Sequence, residues 1–152
     1  MGGFLSNQSA IDEVTDRSNY FITERVAKIP ANYQIQKDHI VHEMHKTSPE
    51  AFNGLYIKDY PEKNEKQVNK LAIHNVTSNE VKHQIVREVH GEVDPMVDEK
   101  TMNLNKIVRS ATKKAIHVAI KKAVGAAVDA VQKKLERQFG VDSSKDEKIS
   151  GK

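Results

Sequence analysis

Apolar residues recur along this chain at helical rather than strand spacing. Ile11, Val14, Ser18, Phe21, Ile22, Arg25 and Ile29 trace one line, broken only by a hydroxyl and a guanidinium. Steps of three and four residues are those of a helix with one buried face. Ser9 followed by Asp12 has the form of a helix N-cap, so a helix is predicted over about 10–28, with Pro30 ending it. Tyr33, Gln34 and Ile35 read as briefly extended. A short helix follows over 38–46, with Ile40, Val41 and Met44 inward, and Thr47, Ser48 and Pro49 break it. Asn53-Gly54 and Tyr60-Pro61 are turn signals on either side of a short strand at Leu55, Tyr56 and Ile57. Val68, Leu71 and Ala72 are the inward positions of a helix over 63–74, and Asn75-Val76 separates it from the next. Thr77 and Glu80 form a capping box that opens a helix over 78–90, with Val81, Ile85, Val86 and Val89 inward. Gly91 stops it, and Asp94-Pro95 marks a linker.

The segment 103–139 then stands apart. It holds no proline and is rich in Ala, Lys, Leu, Gln and Arg, which lose little side-chain freedom in a helix. Two apolar lines compete within it. Leu104, Ile107, Val108, Ala111, Ala115, Val118 and Ala119 share one face of its first half. Ile116, Ile120, Val124, Ala127, Val131 and Leu135 share a roughly opposite face of its second half. Either the helix bends at Gly125, a weak point in a helix interior, or it contacts partners on two sides. Ala111, Ala115, Ala119, Ala123 and Ala127 form a small-residue ladder along which another helix could pack closely. Gly140 ends the helix.

Charge sharpens the contrast. Lys106, Arg109, Lys113, Lys114, Lys121, Lys122, Lys133, Lys134 and Arg137, nine cations, face only Asp129 and Glu136, for a net +7, whereas the whole chain is +3. Paired lysines interrupt every apolar run well short of the ~20 residues a bilayer span requires. A cationic amphipathic helix lying on a surface fits the pattern better. The nine cations are therefore the expected membrane- or anion-binding residues, and the alanine ladder the expected helix-packing residues.

The fold class this implies is mainly α: a small helical domain of four or so short helices, then one long basic amphipathic helix. The expected organisation is an arm at 1–8, the helical domain at 9–100, the basic helix at 101–140 and a polar tail at 141–152. At 152 residues, with 38% apolar and 5% aromatic residues, the core is expected to be modest and aliphatic. No cysteine is present, which excludes disulfides, thiolate nucleophiles and Cys-ligated zinc.

Chemical motifs are sparse. His39, His42 and His45 lie close together, but His42-Glu43-Met44-His45 is one residue short of H-E-x-x-H, so a shared metal site on one helix face is not expected. His74, His83 and His90 fall on the two middle helices, where a cluster titrating near pH 6.5 is one reading and solvated side chains the other. His117, within the basic helix, adds charge on acidification. No G-x-G-x-x-G, G-x-x-x-x-G-K-[ST] or G-x-S-x-G occurs. Neither catalysis, a cofactor nor a small-molecule substrate is expected.

Met1-Gly2-Gly3-Phe4-Leu5-Ser6 matches M-G-x-x-x-[ST], the N-myristoylation pattern, with Gly2 as acceptor. One acyl chain gives only marginal membrane residence, and a cationic helix supplies the second signal. An acylated terminus paired with a cationic, alanine-rich helix resembles viral matrix proteins and the membrane-active minor capsid proteins of non-enveloped viruses. That resemblance rests on residues 1–6 and the character of 103–139. It implies a non-enzymatic structural or assembly protein, partnered by anionic lipids and by itself or a shell protein. It would lie at the cytoplasmic face of a membrane or inside a virion, not secreted. The alternative is a nucleic-acid-binding or helical oligomerisation protein whose basic helix meets phosphates or an acidic partner. The absence of aromatics from 103–139, Phe139 excepted, argues against single-strand stacking.

Overall fold

The computed structural model describes the backbone of residues 2–47 and 65–141, and side chains over 8–46 and 65–141. Among these residues the protein is mainly helical, as expected. Five helices follow in order: α1 (Gly2–Val26), α2 (Ile29–Thr47), α3 (Glu65–Thr77), α4 (Asn79–Lys100) and α5 (Lys106–Gln138). The expectation of short helices before a long one is not met in detail, because α1 and α4 run to 25 and 22 residues. The turns at Asn53-Gly54 and Tyr60-Pro61, the strand between them and the polar tail past Val141 lie outside the described residues.

The chain divides into two compact units that interleave along the sequence. Unit 1 takes Met1–Ala27 and Lys82–Val128; unit 2 takes Lys28–Val81 and Asp129–Lys152. A linear reading of boundaries does not produce such a division.

Unit 1 is α1, nearly all of α4 and the greater part of α5. Its interior is aliphatic: Val14, Ile22 and Val26 from α1, Ile85, Val89, Val93 and Val97 from α4, and Ile116, Ile120, Val124 and Val128 from α5 are all buried. Ser18, buried among them, returns its hydroxyl to the Val14 carbonyl at 2.8 Å, so no donor is left unpaired. The α1 line read from the pattern is present from Ile11 to Arg25, with Ile11, Phe21 and Arg25 half-buried and Val26 added to it; Ile29, its expected last member, belongs to α2 instead. Ser9 sits inside α1 rather than at its start.

Gly91 and Pro95 do not end α4, which runs through both. Pro95 lacks the N–H that would bond the Gly91 carbonyl. Both residues lie on the exposed side of the helix, where water can serve that carbonyl, while Val89, Val93 and Val97 continue the buried line behind them. Burial of three valines outweighs the local breaker signal. Thr101 ends the helix instead, donating its hydroxyl to the Val97 carbonyl at 2.6 Å.

Unit 2 is built from α2, α3 and the last turns of α5. Pro30 falls in the first turn of α2, where a missing N–H forfeits no helical bond, so it starts a helix rather than closing one. Tyr33 is consequently helical, not extended, and is 1% exposed. Its hydroxyl donates to Asn69 Oδ1 at 2.8 Å, and its ring stacks on Phe139 with centroids 4.5 Å apart. On α3 the buried residues are Val68, Asn69, Ala72, Ile73, Val76 and Thr77, while Leu71, expected inward, is 48% exposed. The helix continues through Asn75 to Thr77, whose hydroxyl is committed to the Ile73 carbonyl at 2.6 Å. The cap of α4 is therefore Ser78, which accepts from the Val81 N–H at 3.4 Å, and not Thr77. The end of α5 does follow expectation. Gly140 adopts φ 69°, and the Val141 N–H reaches back to the Glu136 carbonyl at 2.8 Å, a left-handed C-terminal closure that favours glycine.

A cationic outer face on the first half of α5

The approach to α5 is tightly specified. The Leu104 N–H closes a turn on the Thr101 carbonyl at 3.0 Å. Asn105 then caps the helix, its Oδ1 accepting from the Val108 N–H at 2.9 Å. From there the helix is unbroken to Gln138, Gly125 included, and a methyl added at Gly125 would meet nothing within 4 Å.

Of the line proposed for the second half, Ile116, Ile120, Val124 and Leu135 are buried, while Ala127 and Val131 are half-buried. Thr112, Ile116, Ile120, Val124 and Val128 are inside, joined by Leu135 in unit 2. Each step of four residues turns 40° around a helix, so this line winds steadily about the axis. The line proposed for the first half is not buried. Ile107 is 82% exposed and Val118 49%, and Ala111 and Ala115 are exposed with them. Leu104 and Val108 are half-buried. The reason is area. At about 0.8 kcal/mol per buried CH₂, a line of Ile and Val outcompetes a line in which three of seven positions are Ala for the same interior. Within the alanine ladder, Ala111, Ala115 and Ala119 are exposed, and Ala123 and Ala127 are half-buried.

The first half of α5 thus presents an outer strip of Ile107, Ala111, Ala115 and Val118. Met102, in the turn just before the helix, is 66% exposed. By helical register Lys114 and Lys121 lie at the edge of the strip beside Ile107, whereas Lys122 falls between Ala111 and Ala115, and all three are exposed. Among the described residues, no ion pair occupies these three ammonium groups. Lys106 and Arg109 are exposed in the first turn. Lys113 is different: it turns toward α4 and binds Asp98 at 2.8 Å, and that hydrogen bond raises its pKa. In unit 2, Lys133, Lys134 and Arg137 are exposed on the last turns of α5. Of the nine cations, therefore, eight are exposed and one is engaged within the fold.

The remaining candidates sort as follows. Gly2 opens α1. His39, His42 and His45 are exposed along α2, as are His74 and His83 on their helices, and no group of three ligating side chains gathers among the described residues. His90 meets His117 rather than another middle-helix histidine: their rings stack 3.8 Å apart at 15°. Their separation of twenty-seven residues hides this pair from any local pattern. Unit 2 also has an open cavity of about 700 Å³ lined by Ile40, Met44, Val68, Leu71 and Val141, with Lys70, His74 and Glu136 among its polar members. No helix among the described residues is long and apolar enough to cross a membrane.

No protein-family model, curated protein or solved structure matches this chain.

Proposed function

We propose that this chain is a non-enzymatic structural or assembly protein that associates with anionic membrane surfaces, matrix-like or minor-capsid-like in character. The observation that supports the reading is the outer strip of α5. Ile107 and Val118, large alkyl groups left in water, lie between exposed lysines that no ion pair occupies among the described residues. A strip of that kind fits the boundary between headgroups and acyl chains, where alkyl groups enter and ammonium groups stay with the phosphates.

The magnitudes call for a second anchor. A lysine near an anionic surface contributes about 1 kcal/mol, so Lys114, Lys121 and Lys122 together supply on the order of a hundredfold in affinity. A single myristoyl chain at Gly2 adds a marginal, reversible increment of its own. Together they give stable residence that neither gives alone. Self-association or a shell protein would then build the assembly. Lys133, Lys134 and Arg137 are available to the same lipid or to an acidic partner.

Vesicle co-sedimentation tests the proposal. The intact protein should pellet with vesicles containing phosphatidylserine, far less with neutral phosphatidylcholine, and should be released by salt. The double variant Ile107→Glu, Val118→Glu should stay in the supernatant. Equal pelleting of that variant, or equal binding to neutral lipid, rejects the surface. Intact mass from a eukaryotic host reports acylation of Gly2, and Gly2→Ala should weaken membrane residence where an acyl chain is present. Binding to RNA or duplex DNA with a steep salt dependence, and none to vesicles, would move the function to phosphate recognition on nucleic acid.

A further inference from the structure

His90, Asp94 and His117 form a cluster in unit 1 that the surface reading does not use. His90 and Asp94 are one turn apart on α4, and His117 reaches them from α5. His117 Nε2 lies 2.6 Å from Asp94 Oδ1. A carboxylate only accepts, so this nitrogen carries the proton and donates it. The two imidazoles stack at 3.8 Å. His90 Nε2 is buried and has no hydrogen-bond partner.

We infer that the stacked His90–His117 pair, with Asp94 on its far side, is an acid-sensitive clasp between α4 and α5 of this unit. With His90 neutral, its partnerless nitrogen is a bare lone pair beside an imidazole that Asp94 holds in place. Protonation of His90 buries an N–H with no acceptor and puts a cation against the ring of His117. Both changes push the two helices apart at this point. The clasp is independent of whatever the outer face of α5 binds.

The surrounding charges leave Asp94 as the carboxylate that acts on His90 among the described residues. One turn further along α4, Asp98 is taken by Lys113 of α5 at 2.8 Å. From α1, Arg25 engages Glu88 at 2.9 Å and Glu92 at 3.8 Å, and Glu13 engages Lys100 at 2.7 Å. The remaining charges of α5 near His117 are the cations Lys114 and Lys121, which oppose any second positive charge. Burial is the main influence on His90 and lowers its pKa from 6.5; the charge of His117 lowers it further, while Asp94 and a backbone hydrogen bond of His117 act against these. A depressed folded-state value means the unfolded chain binds the proton first. Stability from this group is therefore present above pH 6.5 and lost as pH falls from there through the folded value.

Two measurements on the full chain test this. The imidazole resonances of the wild-type protein, followed by NMR, should show His90 titrating below 6.5. Amide protection factors of α4 and α5 near the cluster should fall by up to about tenfold per pH unit below that point, and in His90→Phe, which keeps a stacked neutral ring, most of that fall should vanish. Titration of His90 at or above 6.5 overturns the clasp. So does acid loosening that is the same in His90→Phe as in the wild type. The wild-type titration needs no variant, so it decides the matter even if His90→Phe does not fold.

Discussion

Unit 1 fills its interior with β-branched aliphatics that recur every fourth residue, Ile85, Val89, Val93 and Val97 on α4 and Ile116, Ile120, Val124 and Val128 on α5. Unit 2 instead centres on Tyr33, tied to Asn69 by a buried hydrogen bond and stacked on Phe139. The two interiors specify their helix positions in different ways. A ladder of near-identical side chains presents much the same shape after a four-residue slide, so shape alone says little about register. A buried hydroxyl and amide are satisfied in one arrangement only. Unit 1 obtains its register at the rim, from Arg25 with Glu88, Lys100 with Glu13, Lys113 with Asp98 and His117 with Asp94. Salt and acid therefore reach these fixing contacts of unit 1, as they reach the Lys37–Glu65 pair of unit 2 at 3.5 Å, but not the buried Tyr33–Asn69 bond that unit 2 centres on.

The largest expected effect is on the aliphatic side. Val124 is 0% exposed, and Val124→Asp places a carboxylate in an interior with no partner for it. A loss of at least about 4 kcal/mol is expected, read as collapse of the cooperative thermal transition. An unchanged midpoint would mean that the buried line of α5 is misassigned. On the polar side, Tyr33→Phe removes the hydroxyl and orphans the Asn69 amide, a loss of about 1–3 kcal/mol in urea denaturation. Burial, with the Glu65 charge adding to it, pushes the Tyr33 pKa from 10.0 up to about 12. The unfolded chain ionises first, so stability is full below pH 10.0 and is lost as pH rises toward 12. The part of the alkaline loss due to this group should be missing in Tyr33→Phe; an identical alkaline profile in both proteins would break the contrast.

Smaller effects sharpen the same comparison. Gly140 holds φ 69° at the end of α5, and Gly140→Ala should destabilise by about 1 kcal/mol. Gly125 is ordinary helix with open space beside it, and Gly125→Ala should stabilise by about 0.5–1 kcal/mol. Opposite signs of these two shifts in melting temperature are the check. The smallest effect belongs to Ile107→Glu with Val118→Glu, which should leave stability within about 0.5 kcal/mol while changing vesicle binding, since both residues already face water. A large loss of stability there would place the strip inside the fold rather than on its surface.

Helical periodicity alone located the long basic helix, its Gly140 stop, the buried line of α1 and the Ile116–Ile120–Val124 line of α5, because each is set by side chains a few residues apart on one element. Local signals failed where burial competed with them. Gly91 and Pro95 look like a stop, yet three valines behind them carry α4 onward to Lys100. Pro30 looks like a terminator and is an initiator. The alanine-rich line of α5 looks inward-facing and is turned outward by a heavier rival on the same helix.

What the chain decides by itself is therefore which stretches are helices, how much positive charge one of them carries, and which apolar lines are on offer. Only tertiary structure decides which line is consumed inside and which is left in water, and it alone brings His90 to His117 and Tyr33 to Asn69 and Phe139. The physical reason is that periodicity acts over one or two turns, whereas the choice between faces is made by the area available on a neighbouring helix distant in sequence.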